Sequence, residues 1–227
     1  MIGVGFNLVL GLSYSFYVVF NPKDHYFLQT ANGVAANVAS FVLADVVNTN
    51  QLGDDREWVV AQLRAGRHVS AVLARRNVIL GAVMLPATMM LSAGLRLLLG
   101  EERTVASALL LDVWIVVGWL ALGNVASLLV PYYPMKLRRR WHMRHTWWWW
   151  GFALVVPYGI YYARVWGLHP LLDQFFGPHA YHDARHEWRE AAGYALVGVL
   201  MLFGSYGFAL LIDRRPRRLI AMLEMDR

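Results

Sequence analysis

Residues 106–131 have the sequence ASALLLDVWIVVGWLALGNVASLLVP, and this stretch decides the fold class. Asp112 is its one charged residue, and no proline interrupts it before Pro131. A helix of about 20 apolar residues crosses the roughly 30 Å of hydrocarbon in a bilayer. The stretch is longer than that, and it therefore predicts a transmembrane helix.

Similar apolar runs recur along the rest of the chain. Of the 227 residues, 58% are hydrophobic and only 16% are charged, whereas about 25% of the residues in soluble proteins are charged. Six runs are long enough to cross a bilayer: about 2–20, 28–47, 77–99, 106–131, 147–166 and 192–212. The sequence therefore predicts an all-α polytopic membrane protein with about six transmembrane helices, in which residues 1–227 form a single transmembrane domain.

The distribution of basic residues predicts how these helices are oriented. The net charge is +6, and most of the 21 Lys and Arg residues lie in 48–76, 132–146 and the tail after 212. The segments that alternate with them are acidic or mixed: 21–27, 100–105 and 167–191. Because Lys and Arg resist translocation, we expect the basic segments and both termini in the cytoplasm. We expect a multi-pass protein of the bacterial cytoplasmic (inner) membrane, in contact with the lipid bilayer and not with nucleic acid.

Two connecting segments are longer than turns. Segment 48–76 carries apolar residues on both sides of Gly66, which predicts a cytoplasmic helical hairpin that breaks at this glycine. Segment 167–191 contains a helix-like stretch rich in His, Asp, Glu and Arg, and it predicts an external helical element between the fifth and sixth transmembrane helices.

The residue types present argue against catalysis by this chain. It contains no cysteine, which excludes disulfides, thiolate metal sites and a cysteine nucleophile. Its two lysines, Lys23 and Lys136, do not follow glycine-rich loops, so there is no phosphate-binding P-loop. We expect no enzyme activity and no cofactor in this chain, and any ATP must be bound by another polypeptide.

A metal site is the alternative interpretation of the external segment. His179, His182 and His186 are spaced by three and four residues, which places them on one helical face where they could share zinc or copper. Arg185 and Arg189 interleave with them and would repel a cation. Neighbouring glutamates can pair with these arginines, so a solvated external helix is the favoured interpretation.

Polar residues inside the apolar runs have two possible roles. Asp45 and Asp112 are costly in a membrane and could relay protons or bind cations, or they could pair with polar neighbours across helices. Asn124, beside Gly123, is expected to hold helices together.

Two stretches of sequence resemble those of a known family. The first is NQLGDDRE at 50–57, followed by the hairpin that ends in LARRN at 73–77. The second is GNVAS at 123–127 with Pro131 at the end of the fourth transmembrane helix. Together with the predicted layout, they resemble the membrane (permease) subunits of type-2 ATP-binding-cassette exporters.

The resemblance implies that ATP is bound by a separate partner subunit and that this chain couples to it. Residues 53–63 would form a coupling helix that rests in a groove of a separate nucleotide-binding ATPase subunit, which would hold ATP and magnesium. The coupling residues that it implies are Gly53, Asp54, Asp55, Arg56, Glu57, Trp58 and Leu63. The motif in the fourth transmembrane helix comprises Gly123, Asn124, Ser127 and Pro131.

The function implied is that of a permease subunit of an ATP-driven exporter. A second permease copy or a sister permease would complete the pathway for a lipophilic or amphiphilic substrate. One alternative is a membrane protein whose external histidines bind metal. Another is an accessory or structural subunit of a larger membrane complex, favoured if the amphipathic helix that usually precedes the first transmembrane helix in this family is missing.

Overall fold

The computed structural model describes residues 31–43, 50–53, 55–99, 105–129, 184–214 and 216–224, together with the single positions Val9 and Ser13. These ranges contain six α-helices: α1 (Ala31–Leu43), α2 (Arg56–Arg64), α3 (Val69–Leu99), α4 (Val105–Leu129), α5 (Ala184–Asp213) and α6 (Pro216–Glu224). The remaining positions in these ranges form turns and short connections without strands. The prediction of an all-α protein is therefore confirmed for these ranges.

Three helices are long and apolar enough to cross a membrane. They are Val69–Leu98 in α3, Val105–Leu129 in α4 and Ala191–Asp213 in α5. They contain most of the predicted third, fourth and sixth transmembrane helices, and α1 covers a portion of the second. Apart from Val9 and Ser13, the predicted first and fifth helices lie outside the described residues, so the six-helix topology and the cytoplasmic termini stay predictions.

Helix α4 lies at the centre of the described helices. Of the 18 consecutive residues that are most apolar in each helix, 61% are buried in α4, compared with 11% in α3 and 22% in α5. It packs most extensively against α5, and it also contacts α1 and α3. Large apolar side chains on the outer faces of α3 and α5 are exposed, among them Val83, Met90, Leu200 and Phe203. Such a surface suits lipid tails or further helices.

The core around α4 is built on tryptophan and small residues. Trp119 is fully buried and donates a hydrogen bond from Nε1 to Oγ of Ser40 in α1 at 2.8 Å. The ring of Trp114 packs against Tyr194 of α5, with centroids 5.4 Å apart. At Gly198, a Cβ atom would lie 3.1 Å from Cε3 of Trp114. The missing side chain at Gly198 lets α5 approach α4 closely.

A second core joins the two short helices to the long ones. Its buried residues are Leu52, Val59, Val60, Leu63, Val69, Val72, Leu73, Leu128, Ala209, Leu219 and Leu223. Because this core includes the predicted hairpin, positive-inside orientation would place it at the cytoplasmic end of the bundle. From the sequence, only basic charge was expected of the tail, whereas the structure shows an amphipathic helix, α6, with Leu219 and Leu223 one turn apart and buried. Pro216 is its first residue, where a missing N–H costs nothing.

The predicted hairpin breaks at Gly66, as expected. Gly66 has φ +79°, a conformation that favours glycine. Its N–H donates to the carbonyl of Leu63 at 3.1 Å, and the N–H of Arg67 donates to the carbonyl of Gln62 at 3.1 Å, which is the Schellman pattern. The second arm of the hairpin is continuous with α3. This helix therefore begins at Val69, earlier than the predicted start of the third transmembrane helix at residue 77, and Pro86 lies inside it.

Candidate coupling site

A chain of buried amide groups links the segment before α2 to the long helices. Nε2 of Gln51 donates to Oδ1 of Asn77 in α3 at 2.9 Å, and the backbone N–H of Gln51 donates to Oγ of Ser127 in α4 at 2.9 Å. Gln51 and Ser127 are fully buried, and Asn77 is 4% exposed. One residue of the connecting segment therefore contacts two long helices at once.

The same network continues into α5. Nδ2 of Asn77 donates to Oδ1 of Asn124 at 2.9 Å and lies 2.8 Å from the hydroxyl of Tyr206. Nδ2 of Asn124 donates to Oγ of Ser205 at 2.8 Å, and this hydroxyl donates to the carbonyl of Leu202 at 2.7 Å. Asn124 thus holds α3, α4 and α5 together, which is the role that the sequence predicted for it.

This network defines how the helices are registered. A buried amide group left without a partner costs about 1–3 kcal/mol. Sliding one helix along another would break several of these bonds together, because Asn77 and Asn124 each serve more than one partner. The helices and the Gln51 segment are therefore held in one arrangement at this level.

The network brings together the two stretches that carry the family resemblance. Gln51 belongs to NQLGDDRE, Asn77 ends LARRN, and Asn124 and Ser127 belong to GNVAS. Gly53 closes a turn by donating from its N–H to the carbonyl of Asn50 at 3.1 Å. Gly123 is buried in α4, whereas Asp54 and Pro131 lie outside the described residues.

Helix α2 packs inward with three apolar side chains and Trp58. Val59, Val60 and Leu63 are buried in the second core. The Trp58 ring lies beneath Arg75 and Arg76 of α3, with guanidinium carbons 5.2 Å and 5.7 Å from the ring centroid. Trp58 therefore faces α3, where the cation–π contacts help to hold α2 in place.

The beginning of α2 is also tied to α3. Arg76 donates to a carboxylate oxygen of Asp55. Asp55 precedes the first residue of α2, but its side chain makes no capping hydrogen bond. The pair with Arg76 therefore replaces the usual cap as the interaction that uses this carboxylate.

The outward face of α2 is small and charged. Glu57, Ala61 and Arg64 are exposed on it, and Arg56 is half-buried. Arg64 forms an ion pair with Glu224 of α6 at 2.6 Å, which joins the two short helices at their surface. A partner protein that docked on α2 would meet these side chains first.

Asp213, at the end of α5, caps the beginning of α3. Its Oδ1 accepts a hydrogen bond from the N–H of Val69 at 2.6 Å, and its Oδ2 accepts one from the hydroxyl of Ser70 at 3.4 Å. Nδ1 of His68 lies 3.5 Å from the same carboxylate. A carboxylate at this position satisfies free N–H groups and interacts favourably with the positive end of the helix dipole.

Sequence reasoning missed several of these residues. Leu219 and Leu223 have helical spacing after Pro216, a signal that could have revealed α6. Asp213, Ser205 and Tyr206 carry no local signal. Asp213 contacts Val69 across 144 positions of the chain, so only the folded structure identifies its role.

Only one of the candidate metal ligands falls within the described residues. His179 and His182 lie outside them, and His186 lies in the first turn of α5. In the portion that the structure describes, no group of three His, Cys, Asp or Glu residues could hold a metal ion. The three-histidine site therefore stays a prediction.

Buried polar residues also occur near the other ends of α3 and α4. Asp112 is fully buried in α4. In α3, Arg96 is 7% exposed and Ser92 is 1% exposed, and within the described ranges neither Nη1 of Arg96 nor Oγ of Ser92 has a hydrogen-bond partner. Asp45 lies outside these ranges.

No protein-family model, curated protein or solved structure matches this chain.

Proposed function

We propose that this chain is the permease subunit of an ATP-driven exporter in a bacterial cytoplasmic membrane. With a second permease copy or a sister permease it forms the substrate pathway, and a separate ATPase subunit binds ATP and magnesium. The buried network from Gln51 through Asn77 to Asn124 is the observation that supports this proposal. It connects the segment that leads into α2 with three long helices, which is what a coupling device requires.

Force applied to α2 has direct routes into the long helices. Close-packed interiors transmit displacement because they have little free volume. Trp58 of α2 contacts Arg75 and Arg76 of α3. In the segment before α2, the N–H of Gln51 donates a hydrogen bond to Ser127 of α4. A push by the ATPase would therefore move these elements together, with no catalytic residue in this chain.

The docking contact is proposed to be polar. Trp58 packs against α3, so the face left for a partner consists of Glu57, Ala61 and Arg64. Ala61 allows another surface to approach closely, while Glu57 and the ion pair of Arg64 with Glu224 offer polar contacts for orientation. Leu63 supports this face from within the second core.

The first experiment is purification from native membranes in a mild detergent. We expect an ATPase subunit to copurify, and its recovery to fall strongly with Ala61→Trp, because a large side chain on the docking face prevents close approach. Ala71→Trp is the matched control, since Ala71 is exposed on the other arm of the hairpin. A purified assembly without a nucleotide-binding chain would contradict the proposal and favour a structural subunit.

A transport assay tests coupling itself. In reconstituted vesicles, Trp58→Ala combined with Arg56→Ala is expected to uncouple transport from ATP hydrolysis while the complex stays in the membrane. We expect this uncoupling because the indole ring of Trp58 no longer contacts Arg75 and Arg76. Unchanged transport per ATP in the double variant would count against α2 as the coupling element.

A further inference from the structure

A cleft lies between α2 and the early residues of α3. It has a volume of about 460 Å³ and is lined by Asp55, Trp58, Arg75, Arg76, Ile79 and Leu80. Small-molecule sites usually fall between about 300 and 1,000 Å³, so this cleft is large enough for a ligand. A ligand whose charge and polarity matched these lining residues would give the cleft a role besides coupling.

The cleft changes from charged to apolar along α3. Arg75 and Arg76 line its charged end, and Ile79 and Leu80, which follow a turn later in the helix, line its apolar end. Ile79 is 57% exposed, and the adjacent Val78 is 70% exposed on the surface of the same helix. On the positive-inside orientation, the arginines lie at the cytoplasmic headgroup level and the apolar end opens towards the hydrocarbon.

The two arginines are not equivalent. Arg76 is paired with Asp55, and its side chain is 17% exposed. Arg75 is exposed, and no carboxylate in the described ranges forms an ion pair with it. Its guanidinium group lies over the Trp58 ring, 5.2 Å from the centroid, so its position is restricted while its charge remains available.

We propose that this cleft binds the phosphate headgroup of an anionic phospholipid from the cytoplasmic leaflet. Arg75 donates to the phosphate, for which a guanidinium fork is well suited. Trp58 lies at the depth that indole rings prefer, and Ile79 and Leu80 contact the beginning of an acyl chain. Basic sites beside transmembrane helices on this side of a membrane are known to select such headgroups.

Asp55 opposes the binding of an anion, because its negative charge lies in the lining of the same cleft. Its carboxylate neutralises Arg76, which leaves one uncompensated positive charge in the cleft. Removing the carboxylate should therefore tighten the binding of an anionic lipid, and removing Arg75 should weaken it. Nonspecific attraction to the basic surface would instead change by a similar amount wherever on that surface one unit of charge is removed.

The experiment measures lipid binding to the full chain purified in a neutral detergent. The probes are short-chain phosphatidylglycerol, phosphatidylcholine with the same acyl chains, and inorganic phosphate. We expect phosphatidylglycerol to bind more tightly than phosphatidylcholine, and Arg75→Gln to weaken its binding about tenfold or more. The control is Arg67→Gln, which removes an equal charge from an exposed position on the Gly66 break and should change the affinity little.

Three other outcomes would each contradict the binding of a lipid headgroup in this cleft. Equal affinity for the two lipids, or equal losses in Arg75→Gln and Arg67→Gln, would overturn the proposal. Inorganic phosphate that binds as tightly as phosphatidylglycerol and depends equally on Arg75 would show a soluble anion site and overturn the assignment to a lipid.

Asp55→Asn provides a second test that does not depend on losing a function. It should strengthen phosphatidylglycerol binding several-fold, and unchanged or weaker binding would contradict the proposal. Should Arg75→Gln fail to fold, a gain in Asp55→Asn that exceeds the gain in Glu57→Gln, an equal charge change on the outward face of α2, still decides between the outcomes. Because the chain is expressed without an ATPase subunit for these measurements, their outcome is independent of the proposed exporter function.

Discussion

At the scale of single residues, Asn77 and Asn124 contribute most to the candidate coupling site. Both are buried, and together they contact Gln51, Tyr206 and Ser205. Burying an asparagine in an apolar helix bundle costs free energy unless its amide group is hydrogen-bonded. In Asn77 and in Asn124, both the amide oxygen and the amide nitrogen have hydrogen-bond partners. The network therefore gives these positions a structural role whatever substrate the protein carries.

Replacing these asparagines tests the network. Asn77→Leu and Asn124→Leu are each expected to lower the free energy of unfolding by about 1–3 kcal/mol, because their partners lose hydrogen bonds. The double variant should lose less than the sum, since either change alone already removes their mutual bond. Unfolding in detergent measures both quantities, with Gln62→Ala on the half-buried side of α2 as a control expected to stay within about 0.5 kcal/mol.

Gly198 provides an independent residue-scale prediction. A Cβ atom there would lie 3.1 Å from Cε3 and 3.3 Å from the carbonyl oxygen of Trp114, and the backbone cannot move away easily. Gly198→Ala should therefore destabilise the protein by about 1–3 kcal/mol through overpacking.

Two other glycines of α5 are matched controls for this change. Nothing lies within 4 Å of a Cβ atom at Gly204 or Gly207. Alanine at either position should leave the thermal midpoint unchanged or raise it slightly, since alanine favours helix. Equal effects at all three glycines would refute the close approach of α4 and α5.

At the scale of elements, the two short helices form one unit with the beginning of α3. Helix α2 is held by its buried apolar face, by Trp58 and by the neighbouring Asp55, while α6 covers the same core with Leu219 and Leu223. A helix of this length is marginal in water on its own. Packing therefore supplies most of the stability of α2 and α6.

A charged substitution in α6 tests that dependence. Leu223→Asp would bury a carboxylate in the second core, so we expect α6 to detach and trypsin to cleave at Arg217 much faster than in the parent protein. Ala221→Asp introduces the same charge at an exposed position of the same helix and should leave the cleavage rate nearly unchanged. Similar rates for the two variants would show that α6 does not depend on this packing.

At the scale of the whole molecule, the described helices include three long apolar ones and two short ones packed against them. Three described helices are long enough to cross a bilayer, and their contacts with α2 and α6 gather at one end. Most of the exposed large apolar side chains lie on α3 and α5, whereas those of α4, Val105 and Leu129, lie at its two ends. This arrangement agrees with a membrane protein whose short helices lie at one surface.

The absence of cysteine makes the predicted topology directly testable. Arg67→Cys should react with an impermeant thiol reagent only from the cytoplasmic side, and His179→Cys only from the opposite side. Intact spheroplasts and inverted vesicles distinguish the two, and the parent protein provides a background without labelling. Labelling of both positions from the same side would contradict the predicted six-helix arrangement.

The three long apolar helices were predictable because their length and apolar composition are local properties of the sequence. A run such as 106–131 is apolar whatever surrounds it, and its length can be compared directly with the thickness of hydrocarbon. The Gly66 break was predictable for a similar reason, since Gly66 lies beside charged residues between two amphipathic stretches, a local pattern typical of a helix end. The early start of α3 was not, because residues 69–76 are amphipathic and continue the helix beyond the membrane-spanning run.

By itself, the sequence determined the all-helical class, the three long apolar helices and the hairpin at Gly66, because each depends on neighbouring residues. Only the tertiary structure decided that Gln51 joins Ser127, that Asp213 caps α3 and that Trp58 faces Arg75. These contacts connect residues far apart in the chain, and a hydrogen bond or ring contact requires both partners at a specific distance. Local composition carries no information about that distance, which packing alone establishes.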